Sequence, residues 1–309
     1  MKLHQNQLKP LIQYQKCAQP FKLEALYPVK QPVDIEIGFG QGEYITELAR
    51  LNPERNFLGV ELLWDRVCKT LNKITPKQHT DPLYENVRLL KCDVWVLFQR
   101  FIARESIERM YCLFPCPWPK KKHIKNRLFS QKFLKTLNGC LKAGGTIQLV
   151  TDYKPYYDWV LEESAGTGFT IETKIVEPQY ATKFEKKWSG EGQEEFFKII
   201  FTKEEHISEL IKERSSVKSY KLATFDPEIF NWKDVNEEQT IVFKERLFDK
   251  DKQKAIVHVV VSEEHLIQNI RITIYKKNDY WRLCIAEGQD YLSTEGVKRA
   301  IDCVYEAVK

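Results

Sequence analysis

Short apolar runs alternate with amphipathic stretches along the first two-thirds of the chain. Residues 33–37 form an apolar-rich run ending in glycines, as a strand buried on both faces requires. Residues 43–51 then place apolar side chains at helical spacing. The alternation repeats, with strands predicted over 57–61, 87–91, 110–114 and 146–151 and helices over 62–74, 94–103, 130–141 and 154–165. Two more strands, 169–176 and 196–202, close the series. This predicts an α/β domain over 31–203 with a mostly parallel, doubly wound, Rossmann-like sheet. Residues 1–30 are proline-punctuated and weakly periodic, an N-terminal extension. A charged stretch, 204–219, reads as a helical linker. The pattern then changes: strands follow one another over 240–248, 255–261, 267–275 and 280–286, with a closing helix over 296–308. Residues 220–309 therefore read as a smaller α+β domain.

Composition narrows this picture only slightly. With 43% hydrophobic and 12% aromatic residues, 309 residues are enough for two packed cores. The net charge of +5 leaves partners open. Eight cysteines are scattered and none forms a C-x-x-C pair, which argues against a structural zinc site and suits a reducing compartment. The first seven residues are polar, and no apolar run approaches the roughly 20 residues of a membrane span. A soluble cytoplasmic protein without metal or membrane contact is expected, monomer or homodimer.

The chemistry begins where the first buried strand ends. Glu36 is followed by Gly38-Phe39-Gly40-Gln41-Gly42 and then a helix. Glycines there permit a tight turn and bring backbone N–H groups to a ligand at a helix N-terminus. The dinucleotide fingerprint needs a further glycine where Glu43 stands, so a diphosphate cofactor is not indicated. G-x-G-x-G suits a nucleoside cofactor without diphosphate, of which S-adenosylmethionine is the commonest on this sheet. Glu36 is placed to meet the amino group of its methionine moiety. Glu61 ends the second strand of the series, where an acid can accept both ribose hydroxyls. Asp93 follows the third, in reach of the adenine amino group.

The fourth strand of the series runs into Phe114-Pro115-Cys116-Pro117-Trp118-Pro119, a stiff rim, and then Lys120, Lys121, Lys122, His123, Lys125 and Arg127. A charge run is usually a solvated face. Beside a cofactor at the carboxyl ends of strands, it points to phosphate contact. Asp152 closes the fifth strand, and Thr182-Lys183-Phe184-Glu185 precedes the last; both acids are equally placed to be helix caps or surface charge.

Together these segments resemble the bacterial tRNA guanine-N(7)-methyltransferases. The resemblance runs over about 30–203 and rests on Ile35 to Gly42, Phe57 to Glu61, Phe114 to Arg127, Gly144 to Asp152 and Thr182 to Glu185. It implies a class I methyltransferase sheet that binds S-adenosylmethionine through Glu36, Gly38, Gly40, Gly42, Glu61 and Asp93. It implies a tRNA partner, with Lys120, Asp152, Thr182, Lys183 and Glu185 on the guanosine and Lys122, His123, Lys125 and Arg127 on RNA. The expected product is a guanine methylated at N-7 in the tRNA variable loop. The family has an aspartate where this chain has Cys116, which leaves Cys116, Asp152 and Glu185 as the catalytic candidates. That cysteine keeps two alternatives open: a catalytically degenerate RNA-binding protein, and a cytosine C-5 methyltransferase attacking through Cys116.

Overall fold

In a computed structural model, which describes residues 3–79, 81–180, 195–208, 211–228 and 232–309, the apolar runs of the first two-thirds assemble into one sheet. The elements are β1 (Leu11–Ile12), β2 (Val33–Ile37), α1 (Glu43–Leu51), β3 (Asn56–Glu61), α2 (Trp64–Ile74), β4 (Val87–Lys91) and α3 (Val94–Arg100). Then come β5 (Ile107–Leu113), α4 (Gln131–Cys140), β6 (Leu141–Thr151), α5 (Lys154–Glu163), β7 (Phe169–Val176) and β8 (Phe196–Lys203). The order across the sheet is β1-β4-β3-β2-β5-β6-β8-β7. Pairing is parallel from β1 through β6, and β8 runs antiparallel between β6 and β7. Every side chain of β2 and β3 is buried, so the alternation of Asp34 and Glu36 with Val33, Ile35 and Ile37 along β2 marks acids held inside the fold rather than a solvated face. The strand order reverses between β2 and β5, and open α/β sheets bind ligands in the crevice beyond the carboxyl ends at that point.

Two expectations need correction. The N-terminal extension is part of this unit: β1 adds a parallel edge strand to β4, and buried Gln7 bonds Asn72 (2.6 Å) and the Thr75 carbonyl (2.9 Å). The linker is not helical among its described residues. Its first residues are held by α4 and the turn before β7: Glu204 and Glu205 donate to the Gly168 carbonyl, and Asn138 bonds Ile207 N–H and the Glu205 carbonyl. Backbone groups committed to those partners cannot form a helical ladder. The chain accordingly divides into units Met1–Ile211 and Lys212–Lys309.

The second unit contains β9 (Tyr220–Leu222), β10 (Val235–Asn236), β11 (Thr240–Asp249), β12 (Lys254–Glu263), β13 (Leu266–Lys276), β14 (Trp281–Ile285) and α6 (Glu295–Val308). They form an antiparallel sheet in the order β10-β11-β12-β13-β14-β9. Val297, Ala300, Ile301 and Val304 of α6 join Val257, Val259, Val261, Ile270 and Ile272 in its core. Along β12 every second residue, Ala255 to Val261, is buried, while Ile256, His258 and Val260 between them are only half-buried. One face of this sheet is thus packed and the other open.

Candidate functional site

A cavity opens at the carboxyl ends of β2 and β5. Glu36, Gly38, Phe39, Gly40, Gln41, Glu43 and Tyr44 line one side, Asp65, Arg66 and Lys69 of α2 another, and Leu113 and Phe114 the third. Gly38, Gly40 and Gly42 all have positive φ, at 73°, 56° and 74°, a region that other residues enter at a cost. Gly42 is doubly constrained, because a Cβ there would lie 2.4 Å from the Thr70 side chain. The resulting turn lets α1 begin directly beneath the cavity, presenting its N-terminal N–H groups.

Glu36 is the unusual residue. It is 3% exposed, and its Oε2 has no hydrogen-bond partner. Burial, reinforced by the neighbouring Glu43 and Glu61 carboxylates, pushes its pKa up to about 8. A carboxylate without a partner in a cavity is a receptor for a cation. S-adenosylmethionine carries an ammonium, a carboxylate and a sulfonium. The free carboxylate of Glu36, beside a helix N-terminus, matches the charges at its amino-acid end.

Glu61 plays a more constrained part than its position at the end of β3 predicts. Its Oε1 accepts from Leu62 N–H (2.8 Å) and Leu63 N–H (2.9 Å), and its Oε2 accepts from Gly40 N–H (3.2 Å). Arg66 pairs with it at 3.5 Å. This carboxylate ties the glycine loop to the β3–α2 turn. Asp93 caps α3, accepting from Trp95 N–H (2.8 Å). Parallel pairing puts the ends of β2 to β6 on one edge, so Asp93 and Asp152 share the edge that carries the cavity, and the loop that leads to Lys120 leaves β5 there. Asp152 is half-buried one residue beyond β6. Thr182, Lys183 and Glu185 lie outside the described residues. The flanking strands meet at the same edge, since Val176 pairs with Phe196 and Phe197 with Thr151.

The loop after β5 is strained. Phe114 (φ 53°) and Trp118 (φ 44°) both adopt left-handed backbone. Phe114 N–H bonds the Val150 carbonyl and its ring packs edge-on against Phe196. Cys116 is exposed on this loop. Lys120, Lys122 and Lys125 are exposed on and beside a short 3-10 helix, Lys121–Asn126, and His123 packs against Trp118. Arg127 does not belong to that cationic surface, contrary to its expected role on RNA. It is 8% exposed, its Nε donates to the Pro117 carbonyl (2.9 Å), and its guanidinium lies over the Tyr156 and Trp159 rings. Its donors and its stacking face are committed to holding the loop.

Sequence reasoning missed Tyr44 and the α2 residues Asp65, Arg66 and Lys69. Tyr44 contacts the Tyr111 and Tyr180 rings, and its hydroxyl accepts from Gln148. Its place two residues after the last loop glycine was the available signal. The α2 residues follow Glu61 at helical spacing, which marks them as one face only once the strand end is known.

A family model described as "Putative methyltransferase" matches residues 30–198. A tRNA (guanine-N(7)-)-methyltransferase of Chlorobium phaeobacteroides is 38% identical over 175 residues, 57% of this chain and 83% of its own. One from Thermotoga maritima is 27% identical over 294 residues, 90% of each chain. One from Aquifex aeolicus is 29% identical over 293 residues, 89% of this chain and 95% of its own. The last two alignments leave too few residues uncovered to exclude the C-terminal unit, so similarity extends beyond the 30–203 over which the motifs lie.

Proposed function

The chain belongs to the tRNA (guanine-N(7)-)-methyltransferases, and on that membership we propose that it methylates N-7 of a guanine in the tRNA variable loop. The observation that carries the site is the partnerless Glu36 carboxylate inside a glycine-walled cavity at the switch point of the sheet. Bound S-adenosylmethionine supplies an electrophilic methyl group. Glu36 would take its ammonium, the N–H groups at the start of α1 would take its carboxylate, Glu61 would meet the ribose through the lone pair of Oε2 that its single bond from Gly40 leaves over, and Asp93 would meet the adenine through Oδ2.

Guanine N-7 has an in-plane lone pair and carries no proton, so attack needs no general base. Transfer of that methyl group to N-7 would leave on the purine the positive charge that the sulfonium carried. What the protein must do is exclude water, align donor and acceptor, and stabilise charge appearing on the base. Asp152 and Glu185 supply carboxylates for that charge. Cys116 occupies the place of the family aspartate and supplies a weaker dipole. Lys120 meets the guanosine, Lys122 and Lys125 bind phosphates, and Arg127 holds the strained loop from which they project.

The reading is tested with labelled S-adenosylmethionine and unmodified tRNA, mapping the product by aniline cleavage at 7-methylguanosine. Cleavage at a variable-loop guanine is expected. Methylation elsewhere without such cleavage overturns it.

A further inference from the structure

The open face of the C-terminal sheet carries a segregated charge pattern that its own packing does not use. Register pairs Lys254 with Tyr275, Tyr275 with Arg282, and Arg282 with Lys221, so these side chains form one row across β12, β13, β14 and β9. Two positions along, Arg271 lies opposite His258 on the same face. Directly opposed like charges such as Arg282 and Lys221 destabilise a sheet unless something neutralises them. Among the described residues no carboxylate lies within ion-pair distance of Lys221, Arg271 or Arg282. The acids of this face sit at its far side on β11 and are engaged. Glu245 lies 3.6 Å from His258, and Asp249 pairs with Lys252 and accepts N–H groups of its own turn. Rings accompany the cations: Lys221 lies 4.9 Å from the Tyr280 ring centroid, and Lys277 lies 5.3 Å from that of Tyr275.

We propose that this face is an RNA-binding surface that takes the phosphate backbone of the tRNA substrate on Lys221, Arg271 and Arg282. The proposal rests on the tRNA reading above. Lys221 and Arg282 lie on neighbouring strands about 4.8 Å apart, and Arg271 lies four residues along β13 from Tyr275, about 13 Å from their row, so the cations spread over the face as successive phosphates of a polyanion do. Tyrosine rings between them offer stacking faces to unpaired bases, the combination that open-sheet RNA platforms use. The exposed aliphatic residues of the face, Leu247 and Ile267, lie outside the cationic row. The row itself therefore offers charge and rings rather than an apolar patch, which favours RNA over a second copy of the chain.

The test uses the full chain and an unmodified tRNA transcript. Affinity is measured against salt for wild type, for Lys221→Gln/Arg271→Gln/Arg282→Gln, and for Lys221→Arg/Arg271→Lys/Arg282→Lys. All three positions are exposed, and thermal midpoints check that each variant is folded. The glutamine variant should lower the slope of log K against log salt by about two to three and weaken binding at least tenfold at 0.15 M salt. The charge-conserving variant should keep the wild-type slope. Turnover at saturating tRNA should be unchanged in both. An unchanged slope in the glutamine variant overturns the proposal, and loss of a dimer with an unchanged slope reassigns the face to a second copy. If wild type binds tRNA but does not methylate N-7, the functional reading fails while the slope comparison still stands.

Discussion

Strand β2 carries two buried carboxylates on one face, Asp34 and Glu36, and the protein treats them in opposite ways. Asp34 is 1% exposed and fully matched. Arg55 grips it with two bonds of 2.7 and 2.6 Å and reaches on to Glu108, which Lys142 neutralises in turn. Glu36, one pleat further along, is buried almost as deeply and has an oxygen with no partner. The first acid closes the amino end of the sheet as structure. The second leaves the carboxyl end incomplete until a cation arrives. Left-handed backbone does not follow this division: it occurs around the cavity at Gly38, Gly40, Gly42 and Phe114 and also at Glu105 just before β5. A buried acid without a partner is a cost a fold retains where it serves binding.

That contrast can be broken at either end. The largest effect is expected from Asp34→Asn, which removes both charge-assisted bonds from buried Arg55 and leaves it only the partly exposed Glu108 as a charged partner. Its urea midpoint should report a loss of about 3–5 kcal/mol. Glu36→Gln should do the reverse. It should weaken S-adenosylmethionine binding at least ~100-fold by calorimetry, equivalent to about 2.7 kcal/mol, while stabilising the cofactor-free protein. The sign follows from the carboxyl group, whose folded pKa of about 8 lies above the ordinary value of 4.5. The stability contributed by holding its proton is complete below pH 4.5 and is lost as pH rises through 8. The thermal midpoint of the variant should therefore exceed wild type at pH 8.5 and match it near pH 4.5. Equal midpoints at both would remove Glu36 as an unsatisfied charge.

Smaller effects separate positioning from contact at the rim. Arg127→Ala should lower kcat roughly tenfold or more by releasing the Pro117 carbonyl, with the salt slope of tRNA binding unchanged. Lys122→Ala/Lys125→Ala should instead lower that slope by about one to two and spare kcat at saturating tRNA. The smallest change is expected at Cys116. Cys116→Asp should keep activity and Cys116→Ser should lower it a few-fold in the same methyl-transfer assay, and equal rates in all three would show that this side chain is idle.

The site was legible in sequence wherever one local pattern sufficed. Short apolar-rich runs marked β2 to β6, and the glycines with Glu36 located the cavity. Legibility failed where partners lie far along the chain. Leu11 and Ile12 are too short a run to read as a strand and are ordered by pairing with Leu89 and Leu90. Residues 204–207 have a charged, helix-compatible composition, yet Gly168 and Asn138 claim their backbone. Arg127 sits in a charge run that reads as solvated, and only Tyr156 and Trp159, about thirty residues on, reveal it as buried. The Asp34–Arg55 pair was equally invisible: the glycine loop beside Glu36 marked that acid for a ligand, but nothing local showed that Asp34 is matched.

The most direct test of that distinction is the proton balance of cofactor binding. The heat of S-adenosylmethionine binding would be measured at pH 7.0 in buffers of different ionisation enthalpy. With its pKa near 8, Glu36 is mostly protonated in the free protein and must ionise to receive the ammonium. Wild type should release close to one proton per cofactor bound, and Asp34→Asn, if folded, should do the same. Binding by wild type with no proton released would contradict the account.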